Sequence, residues 1–306
     1  MTAIVVAGDI LVDVLVRIDA PLALESDTPA RTTLSGGGSA ANVAAWLAAT
    51  GQDVTFVGGV GDDVLGRGQE VDLRALGVRT RMRIDANQPT GTCVVIVTAD
   101  GRRTMFPDPG AGDLEPDDLP ADAFRPGAHL HLSGYSLLRE RSREAGLLAL
   151  EMARAAGMTI SVDASSAAPL AAAGPAAFLR WIAGADLLFA YLAEATVLTG
   201  QRDPVAAARR LSASVGRAVV LKLGSAGALR VDRTGAVDRV PAEASEVVDT
   251  TGAGDAFDAG FLAARLSGSS PAEALAAGVR LAARAVSKVG ARPSGGRPRG
   301  GSVSAS

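Results

Sequence analysis

Asp249-Thr250-Thr251-Gly252-Ala253-Gly254-Asp255 runs directly into Ala256 to Leu266, a stretch of helical composition. The small residues let a ligand approach the backbone closely, and consecutive free N–H groups at a helix start form an anion site. Phosphate is the natural occupant. Asp255, held at that start, would face a hydroxyl poised for in-line attack and accept its proton as charge develops on the transferring group. Gly-Ala-Gly-Asp by itself also describes a glycine turn capped by aspartate; the complete heptamer favours the anion site. No Gly-Lys-Ser/Thr follows, so this is not a Walker A loop.

Outward from this loop, apolar β-rich runs alternate with Ala/Leu-rich helical ones. Ile4 to Ala7, Ala40 to Ala49, Val54 to Val57 and Val64 to Leu76 set the rhythm. It resumes at His129 to Ser133, Arg141 to Ala156, Thr159 to Asp163, Leu187 to Phe189, Pro204 to Ser214 and Ala218 to Leu223. This predicts an α/β fold with a central, mostly parallel sheet covered by helices on both faces. Two regions, about 13–34 and 78–106, break the rhythm. Gly91 to Val97 and Arg103 to Phe106 read as strands around an Asp100-Gly101 turn, so these regions predict a small antiparallel lid inserted in one domain spanning 1–294. Residues 295–306, rich in Gly, Arg and Ser, are expected to be a disordered tail.

A chain of 306 residues, 48% hydrophobic, can bury a sizeable core. A net charge of −3 gives no basic footprint for nucleic acid or for an anionic membrane, which points to small molecules or protein as partners. Cys93, the single cysteine, has no intrachain partner, and His129 and His131 make no zinc-ligand spacing. With no basic n-region and no apolar run of the ~18 to 20 residues that span a bilayer, the expected location is a reducing cytoplasm.

Asp249-Thr250-Thr251-Gly252-Ala253-Gly254-Asp255-Ala256-Phe257 resembles the C-terminal signature of the PfkB/ribokinase family. The resemblance runs in the family's order from Gly8 to about Ser294 and implies a ribokinase-like fold. It also implies ATP-dependent phosphoryl transfer to a hydroxyl, with Asp255 as base and Gly252, Ala253 and Gly254 as anion hole. Gly8 to Asp13 is similar to the family's opening strand and turn, making Asp13 a binder of substrate hydroxyls. Gly36 to Ala44 resembles the first signature, with Gly37, Gly38 and Asn42 at the substrate. Val57 to Gly66 resembles a structural turn of the family. Lys222, Gly224 and Gly227 resemble the strand and turn beside the nucleotide, joined there by Thr251 and Gly254. Ala285 to Ser294 resembles the closing segment that lines the adenine pocket. Through Gly290 and Ser294, together with Asp249 and Thr251, it implies a monovalent cation site and a potassium dependence. Glu194 matches the acid that organises magnesium-bound water, so ATP and Mg²⁺ are the implied cofactors. A homodimer through exposed lid strands is the expected assembly.

The pattern departs at Tyr191, where the family usually has Asn three residues before the acid; a phenol differs from an amide in shape and hydrogen bonding. That keeps a catalytically impaired ligand-binding homologue among the alternatives. Ser39 and Leu11 stand where ribokinases proper carry Lys and Asn, which weakens strict ribose specificity. Other sugars and nucleosides of adenosine or pseudouridine type stay open.

Overall fold

A computed structural model describes residues 2–99 and 103–294. The expected tail, 295–306, and the Asp100-Gly101 turn lie outside the described residues. In chain order the strands are β1 (Ala3–Ala7), β2 (Leu11–Ile18), β3 (Ala30–Gly37), β4 (Asp53–Gly61), β5 (Arg79–Asp85), β6 (Thr90–Val97) and β7 (Arg103–Gly110). They continue as β8 (His129–Ser133), β9 (Thr159–Asp163), β10 (Leu187–Tyr191), β11 (Ala218–Lys222), β12 (Ala228–Asp232) and β13 (Val237–Val240).

Nine of them form one sheet in the order β13-β12-β11-β10-β9-β8-β1-β4-β5. All pairs from β11 to β5 are parallel, and only β12 and β13 join antiparallel at one edge. The central strands are apolar nearly throughout because both faces are covered. On β1, Val5 and Ala7 pack into one core with Leu130, Ile160, Leu188 and Leu221, beneath the Glu140–Ala155 and Pro204–Ser212 helices. Ile4 and Val6 face the other core, with Phe56, Phe189 and Val220, under the Ser39–Ala49, Ala253–Leu266 and Pro271–Val286 helices. Strand alternation thus divides one continuous apolar run between two cores.

The last helix, Pro271–Val286, begins with a capping box: Ser270 N–H donates to Glu273 Oε2 at 2.8 Å, Glu273 N–H returns to Ser270 Oγ, and Pro271 occupies the first turn. Its Gly278 lets it lie directly on Phe257 of the Ala253–Leu266 helix. His129 and His131 are core residues, hydrogen-bonded to Thr159 and Ser161 and held neutral by burial, which lowers their pKa values to about 3 and about 4.

A second sheet has the order β3-β2-β6-β7. Its outer pairs are antiparallel, as expected for the lid, whereas the central β2/β6 pair is parallel. Residues 79–85, expected within the lid, instead form β5 on the edge of the large sheet. The reason is local: the Val64–Ala75 helix returns the chain from β4 to a parallel neighbour, completing a β-α-β crossover. The small sheet also reaches further than expected, to Leu11, Gly37 and Gly110.

Candidate active site

The Asp249–Asp255 loop ends at Gly252, whose φ of 73° is left-handed and favours glycine; a Cβ there would also stand 2.5 Å from the Ala291 carbonyl oxygen. The Ala253–Leu266 helix starts immediately afterwards. Its first N–H groups have no intrahelical acceptor and lie at the positive end of the helix dipole. Ala253 and Gly254 line a cavity of about 700 Å³. Its other walls include Gly224 and Gly227 from the turn after β11, and Val279, Ala282 and Ala283 of the neighbouring helix. A polar, backbone-lined end thus meets an apolar slot.

Asp255 falls on the first turn of that helix. Its Oδ1 accepts from Ser39 Oγ and its Oδ2 from Asn42 Nδ2, both at 2.9 Å. Burial pushes its pKa up to about 7, against the pull of the Asn42 donor, the Lys222 cation and the Ser39 hydroxyl. A carboxylate near that value takes a proton readily at neutral pH. Asn42, expected at the substrate, spends one amide hydrogen on this carboxylate.

The Gly36–Gly38 run is required by close approach. A Cβ at Gly37 would collide with the Asp13 carboxylate, one at Gly38 would reach the Asp9 carbonyl oxygen at 2.6 Å, and one at Gly36 would enter the Arg292 guanidinium. Asp9 caps the Ser39–Ala49 helix from outside, accepting Ser39 N–H at 2.9 Å. Asp13, on β2, is buried, which raises its pKa to about 6 despite the opposing charge of Arg292. Arg292 donates through Nη2 to the Gly37 carbonyl at 2.7 Å and through Nε to Asn42 Oδ1 at 3.2 Å. Asp13, Gly37, Arg292, Asn42 and Asp255 therefore form one contiguous chain of contacts.

Below the loop lies a buried ionic cluster. Lys222 Nζ sits 2.6 Å from Asp163 Oδ2 and 3.1 Å from Asp258 Oδ2, and 4.9 Å from the Tyr191 ring centroid. Burial disfavours the ammonium, but Asp163 and then Asp258 outweigh it and hold its pKa well above the usual lysine value. Glu194 caps the helix after β10 by accepting Tyr191 N–H at 2.6 Å, and burial beside Asp163 lifts its pKa to about 7. Tyr191 lines the cavity with its hydroxyl against Gly254, where a Cβ would stand 2.8 Å from the phenol oxygen. Asp249 Oδ1 accepts from Thr251 N at 2.9 Å and Oγ1 at 2.7 Å, and its Oδ2 from Gly290 N at 3.0 Å. Arg103 on β7 donates to Thr251 Oγ1 at 2.8 Å.

Residues 1–295 match the pfkB family of carbohydrate kinases. The chain belongs to that family. It is 35% identical over 266 residues to a fructokinase of Klebsiella pneumoniae, covering 84% of this chain and 82% of that one. It is 33% identical over 271 residues to an ATP-dependent ribose-1-phosphate kinase of Halopiger xanaduensis, covering 87% and 86%. The crystal structure of adenosine kinase from Sinorhizobium meliloti superimposes with a TM-score of 0.88 at 28% identity, over 95% of this chain and 96% of that one. The fold is ribokinase-like, and membership places the chain among ATP-dependent phosphotransferases.

In this pfkB-family kinase the predicted residues separate into groups. Asp255, Gly252, Ala253, Gly254 and Asn42 come together, and Asp13, Gly37 and Gly38 adjoin them. Lys222, Gly224 and Gly227 line the cavity, although the Lys222 ammonium is committed to carboxylates. Glu194 lies behind Tyr191 as a helix cap. Asp249, Thr251 and Gly290 meet, while Ser294 is exposed. Asp249 accepts from three donors, and Arg103 Nη1 lies 3.8 Å from its Oδ1. Among the described residues no group of three or more His, Cys, Asp or Glu is arranged to hold a metal. Within the closing segment Ala285 to Ser294, Val286 lines the cavity together with Val279, Ala282 and Ala283 of the same helix, while Arg292 turns to the Asn42 side. Motif comparison missed Ser39 as a partner of Asp255, and also Arg292, Asp163 and Asp258. Asp258 carried a signal, being one helical turn beyond Asp255 and buried on an apolar helix.

Proposed function

We propose that this kinase transfers the γ-phosphoryl group of ATP to a hydroxyl of a sugar or nucleoside, with Asp255 as general base. The observation that carries this is the Asp255 carboxylate, fixed by Ser39 and Asn42 at a helix N-terminus whose first residues, Ala253 and Gly254, line the 700 Å³ cavity. ATP would lie in that cavity with its base in the apolar slot and its terminal phosphate against Gly252, Ala253 and Gly254. Asp13, Gly37 and Gly38 would seat the acceptor, with Asp13 taking one or two hydroxyl hydrogen bonds. As the acceptor oxygen bonds to phosphorus, its proton passes to Asp255 and the bond to the ADP oxygen breaks. Mg²⁺, when bound, neutralises phosphate charge. The small sheet would close over the acceptor and exclude water, the competing nucleophile.

The breadth of the acceptor class follows the relatives, named for fructose, ribose-1-phosphate and adenosine chemistry. No helix among the described residues is long and apolar enough to cross a membrane. Leu34 on β3 and Met105 and Phe106 on β7 are exposed on the two edge strands of the small sheet, which supports a second copy pairing there.

The test is an ADP-release assay with ATP and Mg²⁺ across ribose, fructose, 2-keto-3-deoxygluconate, adenosine and pseudouridine, with Asp255→Asn as control. Turnover that needs Asp255 is expected with at least one acceptor. Equal turnover by Asp255→Asn would remove the base assignment, and silence alongside measurable ligand binding would favour a catalytically impaired homologue.

A further inference from the structure

We propose that Arg292 is a positioning residue for phosphoryl transfer: through the Asn42 side-chain amide it holds the Asp255 carboxylate in the orientation that accepts the proton. The inference rests on Asp255 being the base.

A side-chain amide has an acceptor end and a donor end, and nothing in Asn42 itself selects which faces Asp255. A guanidinium has only donors. Because Arg292 Nε–H points at Asn42 Oδ1, at 3.2 Å, the amide is locked with Nδ2 toward Asp255 Oδ2, at 2.9 Å. The flipped amide would set its oxygen against the carboxylate and lose both bonds. Arg292 is itself immobilised: Nη2 donates to the Gly37 carbonyl, and the guanidinium lies against Gly36, which has no Cβ to displace it. Burial lowers its pKa only to about 10, so it stays charged at neutral pH.

A merely structural role for the arginine head is the competing account. The segment carrying it has its own anchors, however. Trp46 Nε1 donates to the Ala291 carbonyl at 2.8 Å, and Gly290 N–H donates to Asp249. The chain path at 290–291 thus survives loss of the guanidinium, and what that loss removes is the lock on Asn42.

Other groups also act on Asp255. Lys222 on β11 favours its carboxylate, whereas Asp163 on β9 opposes it; Tyr191 on β10 and Asp258 on the same helix also face it. None of them contacts Arg292 by hydrogen bond, so they stay constant across Arg292 variants. Loss of the Asn42 donor weakens only the ionised form, so the proton affinity of Asp255 rises.

The experiment is the pH profile of kcat for the full chain, with KM for ATP, in wild type, Arg292→Met, Asn42→Ala and the double variant. Arg292→Met keeps an apolar stem beside Gly36. Its acidic limb is expected to move up by about one pH unit, the size of one lost hydrogen bond to a charged group, with KM for ATP unchanged. Asn42→Ala should show the same displacement, and the double variant no more than either single. A limb that stays at the wild-type position in folded Arg292→Met overturns the proposal. So do additive displacements, which would mean that the arginine charge acts through space rather than through the amide. If Arg292→Met does not fold, Arg292→Lys carries the test: it retains a donor for Asn42 Oδ1 and should keep the wild-type limb, whereas a limb displaced as in Asn42→Ala overturns the lock. Failure of the base assignment looks different, because Asp255→Asn would then keep both its activity and the limb.

Discussion

Asn42 Nδ2 donates to Asp255 Oδ2 at 2.9 Å across 213 positions of sequence. The contact joins the helix that follows the Gly36–Gly38 run to the helix that follows the Asp249–Gly252 loop, so the acceptor side and the phosphate side of the proposed site are coupled through the proposed base itself. It also means that the proposed base is held by the protein's own side chains.

The first expectation concerns pH. As the proposed base, Asp255, with its pKa raised to about 7, accepts a proton only above that value, so kcat should rise as pH passes through about 7. Asp255→Asn should lower kcat by about 10²- to 10⁴-fold and remove that limb. Stability runs the other way. The folded pKa lies above the usual carboxylate value, so the contribution of Asp255 to stability is full at low pH and is lost as pH rises through about 7. Thermal melts should therefore show Asp255→Asn gaining on wild type at pH 8 and matching it more closely at pH 5.

Lys222 is the cation on which the buried cluster depends. Lys222→Met leaves Asp163 and Asp258 facing each other without it, and the loss of one partner from a buried ion group costs about 3–5 kcal/mol. Urea titration should show a midpoint well below wild type. The loss should be larger at pH 8 than at pH 5, where the two acids can share protons. A midpoint within error of wild type would mean that the ammonium is not what keeps the cluster in place.

Gly37→Ala puts a methyl group into the Asp13 carboxylate. The acceptor KM should rise by tenfold or more, on the order of the 1.4 kcal/mol that such a factor represents, with KM for ATP little changed. Equal effects on both constants would argue that Asp13 and Gly37 do not belong to the acceptor side.

Tyr191 presents its hydroxyl beside Gly254, and burial raises its pKa to about 12, so at neutral pH it remains an O–H donor. Tyr191→Phe should weaken ATP binding severalfold, the scale of one hydrogen bond of about 1 kcal/mol. Tighter binding or faster turnover in Tyr191→Phe, or in Tyr191→Asn, would show that the phenol obstructs the anion site.

Much of the fold was legible because hydrophobic periodicity is a local property. The strand and helix runs at Ile4 to Ala7, Val64 to Leu76 and Thr159 to Asp163 appear within a residue or two of their expected bounds. The Pro271–Val286 helix went unread, although Ser270, Pro271 and Glu273 spell a capping box. Residues 79–85 bear no mark in the sequence of the sheet they join, because a short strand has none; the crossover helix before them decides that.

The α/β architecture and the helix start after the glycine-rich Asp249–Gly252 loop are written in the sequence. Side-chain alternation and the steric freedom of glycine act over a few residues, and that is the range a motif spans. Tertiary structure alone decided which groups meet: Arg292 with Asn42 across 250 positions, and Lys222 with Asp163 across 59. Those partners were chosen by the cost of burying charge and amide groups unpaired. That cost is met by whatever the fold brings within hydrogen-bond reach, and distance along the chain does not encode it.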